Sequence, residues 1–198
     1  MKPIKLISLI TLLAISNIAL SKHIENIETS DSLIVAKTTQ DFFKWYIETV
    51  KSRKTNEYQP IFIADNDGMT TLDFSEYFEN LRKLSFTESF IETERKQYQE
   101  CLDHLKKIEF KIFNSEFDDL DEFENIKCDF SNRLKWTGGQ EIVNGFEIKK
   151  VSFINQDYSS VEGVFFFLNS DQTKSYIGKR KILLRKTNEV WKIDRIEE

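Results

Sequence analysis

The sequence predicts an α+β domain, with N-terminal helices packed on the concave face of a curved antiparallel sheet of about four strands. Three observations predict it. The stretch QDFFKWYIETVKSR, Gln40 to Arg53, places Phe42, Phe43, Tyr46, Ile47 and Val50 at helical spacing. Two more amphipathic helical segments follow before residue 110. After Cys128 the pattern changes to strand-like runs divided by turn residues. Helices first and an antiparallel meander last is the order in which helices gather on one side of a sheet.

The chain opens MKPIKLISLITLLAISNIALSK. Lys2 and Lys5 precede a mostly apolar run, and Ala19 to Ser21 are small enough for signal peptidase. We read residues 1–21 as a signal peptide, 22–30 as a leader and 31–198 as one domain. The apolar run is short for a membrane span, and an uncleaved anchor is the other reading. Cleavage removes Lys2 and Lys5, which takes the formal charge from −5 to −7. That acidic balance argues against nucleic acid and anionic membrane surfaces as partners. The expected location is periplasmic or secreted, with no membrane insertion after cleavage.

Ser30, Asp31 and Ser32 offer cap oxygens for the first helix. Its outer side carries Gln40, Lys44, Glu48, Lys51 and Lys54, and Trp45 sits on the flank. Either the aromatic stripe faces the core, or it walls a pocket between helix and sheet. A loop containing Pro60 and ADNDGM follows. Phe74, Tyr77, Phe78, Leu81 and Leu84 mark a second helix. Phe90, Ile91, Tyr98, Cys101, Leu102, Leu105 and Ile108 mark a third, longer one. The acidic segment NSEFDDLDEFE, with Phe117, Leu120 and Phe123 three apart, reads as one short helix or turn at the core edge.

Ile148–Ile154, Val161–Leu168, Ile177–Lys186 and Val190–Ile196 read as strands. VFFFL at Val164–Leu168 is apolar on both sides, which fits a mid-sheet strand. Its outward set, Val164, Phe166 and Leu168, would supply a homodimer patch. In an oxidising compartment Cys101 and Cys128 invite a disulfide, and two buried thiols are the alternative.

Two motifs carry a resemblance. Phe42, Phe43, Trp45, Tyr46 and Ile47 form F-[FY]-x-W-Y-[IL], and Trp191, Lys192, Ile193, Asp194 and Ile196 form W-[KR]-I-D-x-I. From about Leu33 to Ile196 the chain resembles domain-of-unknown-function family 3828, whose fold is similar to nuclear transport factor 2. The resemblance implies a cone-shaped, cystatin-like or nuclear transport factor 2-like fold and an envelope location. That family's activity is not established, so it implies no catalytic residues.

The segment RLKWTGGQE is the strongest candidate for binding. Trp136 stands beside Arg133 and Lys135 and precedes Gly138, Gly139 and Gln140. A tryptophan with cations on a flexible turn is a common hot-spot composition. Trp136 either meets a partner or folds back to plug the cone, and Tyr46 of the first helix is the further candidate, on the wall of a pocket between helix and sheet. DNDG at Asp65–Gly68 fails calcium-loop spacing, because Ile63 and Phe74 fall on ligand positions. Only two histidines exist and zinc spacing is absent, so no metal or cofactor is expected. No serine elbow, phosphate loop or His-Glu-x-x-His is present.

Three functions fit. The first is a non-catalytic binding domain for a protein or small ligand, of inhibitor or immunity type. The second is a hydrolase or isomerase using paired carboxylates inside the cone, which requires an open interior. The third is a dimerising structural protein of the envelope.

Overall fold

The computed structural model describes residues 30–132 and 134–197. The signal peptide, most of the leader and Arg133 lie outside the described residues. The fold is α+β, as the sequence predicts. Helix α1 occupies 30–51, so Ser30 to Ser32 are already helical. There follow α2 (Thr55–Tyr58), the strands β1 (Ile61–Ala64) and β2 (Thr70–Asp73), α3 (Ser75–Lys83), α4 (Glu88–Lys96), α5 (Gln99–Leu105), α6 (Phe110–Glu116) and α7 (Leu120–Asn125). A 3-10 turn at Asp129–Asn132 leads to β3 (Gly145–Phe153), β4 (Tyr158–Leu168), β5 (Lys174–Thr187) and β6 (Val190–Glu197).

The four long strands form an antiparallel meander in the order β3-β4-β5-β6. Alternation gives the sheet an inner face of Phe146, Val161, Phe165, Ile182, Leu184, Trp191 and Ile193, all buried. The aromatic stripe of α1 lies on that face. Phe43 stacks on Phe146 at 4.1 Å between ring centroids and meets Phe165 edge-on at 5.2 Å. Phe42 turns towards Phe86 at 4.9 Å and Trp136 at 5.9 Å. The stripe is therefore core.

Three bulges curve the sheet around this helix, one each at Lys149, Gly178 and Asp194. Gly178 adopts φ +50, a conformation that favours glycine. Gly163 leaves room for the Phe146 ring, because a Cβ there would lie 2.1 Å from it.

Sequence reasoning missed the β1–β2 hairpin. Its turn is the DNDG stretch, where Asp65 Oδ1 accepts from the Asp67 and Met69 amides at 2.9 Å each. Gly68 takes φ +79 there. Phe62 of β1 heads a satellite cluster with Phe113, Phe123 and Phe130 at 4.6, 5.9 and 5.4 Å. The predicted third helix is two helices, α4 and α5, and the acidic segment holds α7 as well as the end of α6. Leu120 is exposed, while Phe117 and Phe123 pack on the cluster.

Cys101 on α5 and Cys128 are disulfide-bonded, with Cα atoms 5.0 Å apart. The bridge closes the segment that carries α6 and α7. Among the described residues, no helix is long and apolar enough to cross a membrane.

On the outer face, Phe166 lies over Gly145 with the Lys174 ammonium 4.4 Å from its ring. Glu147 accepts hydrogen bonds from Lys149, Lys174 and Tyr176, which hold its carboxyl down to about 2. Two lysines and a carboxylate thus stand across the expected dimer patch of Val164, Phe166 and Leu168.

Two stability predictions follow from this packing. Replacing Cys128 with Ser should lower the unfolding free energy by about 3.5 kcal/mol, from the entropy of a loop of 27 residues. A Gly163→Ala chain should lose roughly 1–3 kcal/mol, because the Phe146 ring must leave its place over the strand. Urea titration of each variant against the parent measures both.

Candidate functional site

The site is built where α4 meets β6. The backbone just before α4 runs beside the β6 edge, with the Thr87 amide donating to Ile193 O at 2.9 Å and the Ile193 amide donating to Ser85 O at 2.7 Å. Thr87 then caps α4, accepting from the Phe90 amide at 3.1 Å. Asp194 is the extra residue of the β6 bulge, and the bulge turns its carboxylate towards α4. Its Oδ1 accepts from Thr87 Oγ1 at 2.9 Å and Ser89 Oγ at 3.1 Å, with Arg185 Nη2 3.3 Å away. The W-K-I-D-x-I motif therefore has a structural meaning. Trp191 and Ile193 fill the core, and Asp194 anchors the helix.

Beside this joint lies a cleft of about 270 Å³. Phe90 and Trp136 form its floor, and Thr93, Glu94, Gln97 and Asp194 line its walls. Glu94 is 2% exposed. A carboxylate buried this deeply needs several donors. Its Oε1 accepts from the Tyr77 hydroxyl at 2.9 Å, the Tyr98 hydroxyl at 3.2 Å and the Lys135 ammonium. Lys135 also donates to Gln97 Oε1 at 2.7 Å. Its ammonium stands 5.1 Å from the Trp136 ring centroid and 5.3 Å from that of Tyr98. One carboxylate thus ties α3, α4, the start of α5 and the 134–139 loop together.

The predicted site residues fall in three places. Trp136 points inward at 6% exposure, against Phe42 and Phe90, and so takes the plugging orientation. Its carbonyl accepts from Arg180 Nε at 3.2 Å. Tyr46 is also core, at 1% exposure, and its hydroxyl has no hydrogen-bond partner among the described residues. Gly138 takes φ +75 in a tight loop in which the Leu134 amide donates to Gly139 O at 2.9 Å. Gly139 and Gln140 line a second, smaller cleft of about 180 Å³ with Phe167 and Ile177.

Sequence reasoning did not find Glu94, Tyr77 or Tyr98 as a cluster. One signal was available: Glu94 follows Phe90 and Ile91 at helical spacing, so a carboxylate sits on an apolar helix face. His104 is exposed and Cys101 is bridged, so no thiol–imidazole pair exists. Among the described residues, no group of three His, Cys, Asp or Glu side chains could hold a metal ion.

Comparison with known proteins finds no matching family model, no matching curated protein and no matching solved structure.

Burial raises the pKa of the Tyr77 and Tyr98 phenols, and the Glu94 charge raises them further. Burial also raises that of Tyr46. The folded chain therefore holds these protons more tightly than the unfolded chain. Their stabilising contribution is complete below the ordinary phenol value of 10.0 and is lost as pH rises through the raised folded values. An alkaline titration followed by phenolate absorbance should show Tyr46, Tyr77 and Tyr98 ionising only with unfolding. Their smooth titration in the folded chain would contradict the burial described here.

Proposed function

We propose that this chain is an exported, non-catalytic binding domain of the cell envelope, periplasmic or secreted. It holds a small ligand or a partner protein in the cleft between α4 and β6. The observation that carries this reading is where the open space lies. Phe42, Tyr46 and Phe165 are fully buried in the interior, where a carboxylate-based active site would need room. The half-polar cleft instead lies at the surface, against the inward-facing Trp136.

The Cys101–Cys128 bridge supports an extracytoplasmic setting, because such bonds persist in oxidising compartments. The acidic formal charge of −5 favours neutral or basic partners over nucleic acid. The two motifs support membership of family 3828, and the α+β architecture agrees with a cone of the nuclear transport factor 2 type. An inhibitor or immunity-type role is one form of this function.

The test is affinity capture with the immobilised protein and an envelope extract of the producing organism. Trp136→Ala is a poor control, since truncating a buried tryptophan costs about 3–5 kcal/mol of stability. Thr93→Arg is better, because Thr93 is exposed on α4 and an arginine there fills the cleft mouth. A stoichiometric partner or ligand should bind the parent and be lost from Thr93→Arg. Retention by both chains would move the site elsewhere, and a folded parent that captures nothing would overturn the reading.

A further inference from the structure

Resting on the binding reading above, we propose that the α4–β6 cleft takes a neutral polyhydroxyl ligand, a single sugar ring or the end of a glycan. Two carboxylate oxygens without a partner among the described residues belong to residues that line this one cleft. All hydrogen bonds to Glu94 fall on Oε1, and among the described residues none reaches Oε2. The bonds and ion pair to Asp194 fall on Oδ1, and among the described residues none reaches Oδ2. The Trp136 indole N–H is also without a partner among the described residues, but it is buried out of reach of the cleft and adds no donor to it. A buried carboxylate with one oxygen saturated and the other open leaves acceptor capacity unused, and native interiors rarely leave such capacity idle.

The ligand must therefore offer donors to two acceptors. Hydroxyl groups do this, vicinal hydroxyls do so at adjacent positions, and each hydroxyl can accept as well. The walls add both kinds of partner. Ser89 and Thr93 bring hydroxyls, Gln97 an amide and Arg195 a guanidinium. The floor is apolar where Phe90 and Trp136 meet the cleft, which suits the C–H face of a sugar ring.

Charge decides between a neutral ligand and an ionic one. Glu94 is paired with Lys135, Asp194 with Arg185, and Arg195 with Glu197 at 3.3 Å. Every charge around the cleft already has its opposite. An ammonium or a carboxylate ligand would add an unmatched charge beside a largely buried cluster, where charge is costly. A polyol adds none. Size agrees, since about 270 Å³ lies below the usual range for drug-sized ligands and holds one ring.

The test uses the purified protein and the indole N–H proton resonance of Trp136, assigned by comparison with Trp136→Phe. Galactose, mannose and N-acetylglucosamine are titrated separately to about 100 mM, some hundredfold above a dissociation constant of 1 mM. n-Butylamine and acetate are titrated alongside as ionic probes at matched ionic strength. We expect at least one sugar to shift this resonance saturably, and Thr93→Arg to weaken that sugar at least tenfold. A Ser89→Ala chain, which keeps the cleft open, should bind several-fold more weakly.

A shift with n-butylamine or acetate and none with any sugar overturns the proposal in favour of an ionic ligand. No shift with any probe in a folded protein means that the cleft holds only water, and this too overturns it. Neither result sinks the binding reading, which fails only if the capture experiment also returns nothing through this cleft. A protein captured by the parent and lost from Thr93→Arg, with the sugars silent, leaves that reading standing and removes only the sugar.

Discussion

Phe43 sits between Phe146 and Phe165, and through this contact α1 and the sheet become one body. Much of the rest follows from it. A helix roughly 10 Å across cannot lie against a flat sheet and bury its whole apolar stripe, so the strands must curve around it. The bulges at Lys149, Gly178 and Asp194 supply curvature, and Gly163 leaves the space into which Phe146 leans. The closing residues come from outside the sheet, with Phe86 and Trp136 sealing the side of Phe42. The interior that results is aromatic and full. Chemistry or recognition is left to the margins, where helix ends meet strand edges.

One margin contains a polar cluster that cannot be explained as decoration. A carboxylate as buried as Glu94 loses several kcal/mol of hydration, and a single partner seldom restores it. Two phenols and an ammonium share the task. Because the donors come from α3, from the α4–α5 junction and from the 134–139 loop, the cluster fixes the mutual positions of these pieces. Trp136 follows Lys135 in the chain, so the ion pair also holds the indole at the floor of the cleft. The same residues thus shape the site and support it.

Much of this was legible in the sequence, and the boundaries of legibility have physical causes. The α1 stripe and the four long strands were readable because each buries one side over many residues, and long periods survive noise. The disulfide was readable from the expected compartment and the cysteine count. The hairpin was hidden because its strands are four residues each, too short for a period to register, although Asp67-Gly68 is a turn signal. The α4–α5 break was hidden because Ile91 and Tyr98 are two turns apart and keep the same phase across it. The direction of Trp136 was not readable, since a tryptophan on a glycine turn satisfies both orientations locally. Only the space left beside Phe42 and Phe90 decides. Glu94 was visible as a charge on an apolar face, yet its partners lie up to 41 residues away.

The W-K-I-D-x-I stretch illustrates how structure and recognition become entangled. Asp194 uses Oδ1 to hold Thr87 and Ser89 at the start of α4, which is a structural duty. The other oxygen of the same carboxylate has no partner among the described residues, and Asp194 lines the cleft. Substituting Asp194 would therefore loosen the helix joint and empty the cleft wall together, and a loss of binding could be assigned to neither. Thr93 escapes this coupling. Among the described residues its hydroxyl bonds only to the Ser89 carbonyl one turn back, at 2.8 Å, and the helix keeps its form without that bond. A residue that lines the cleft while holding nothing else in place is the point at which binding separates from folding.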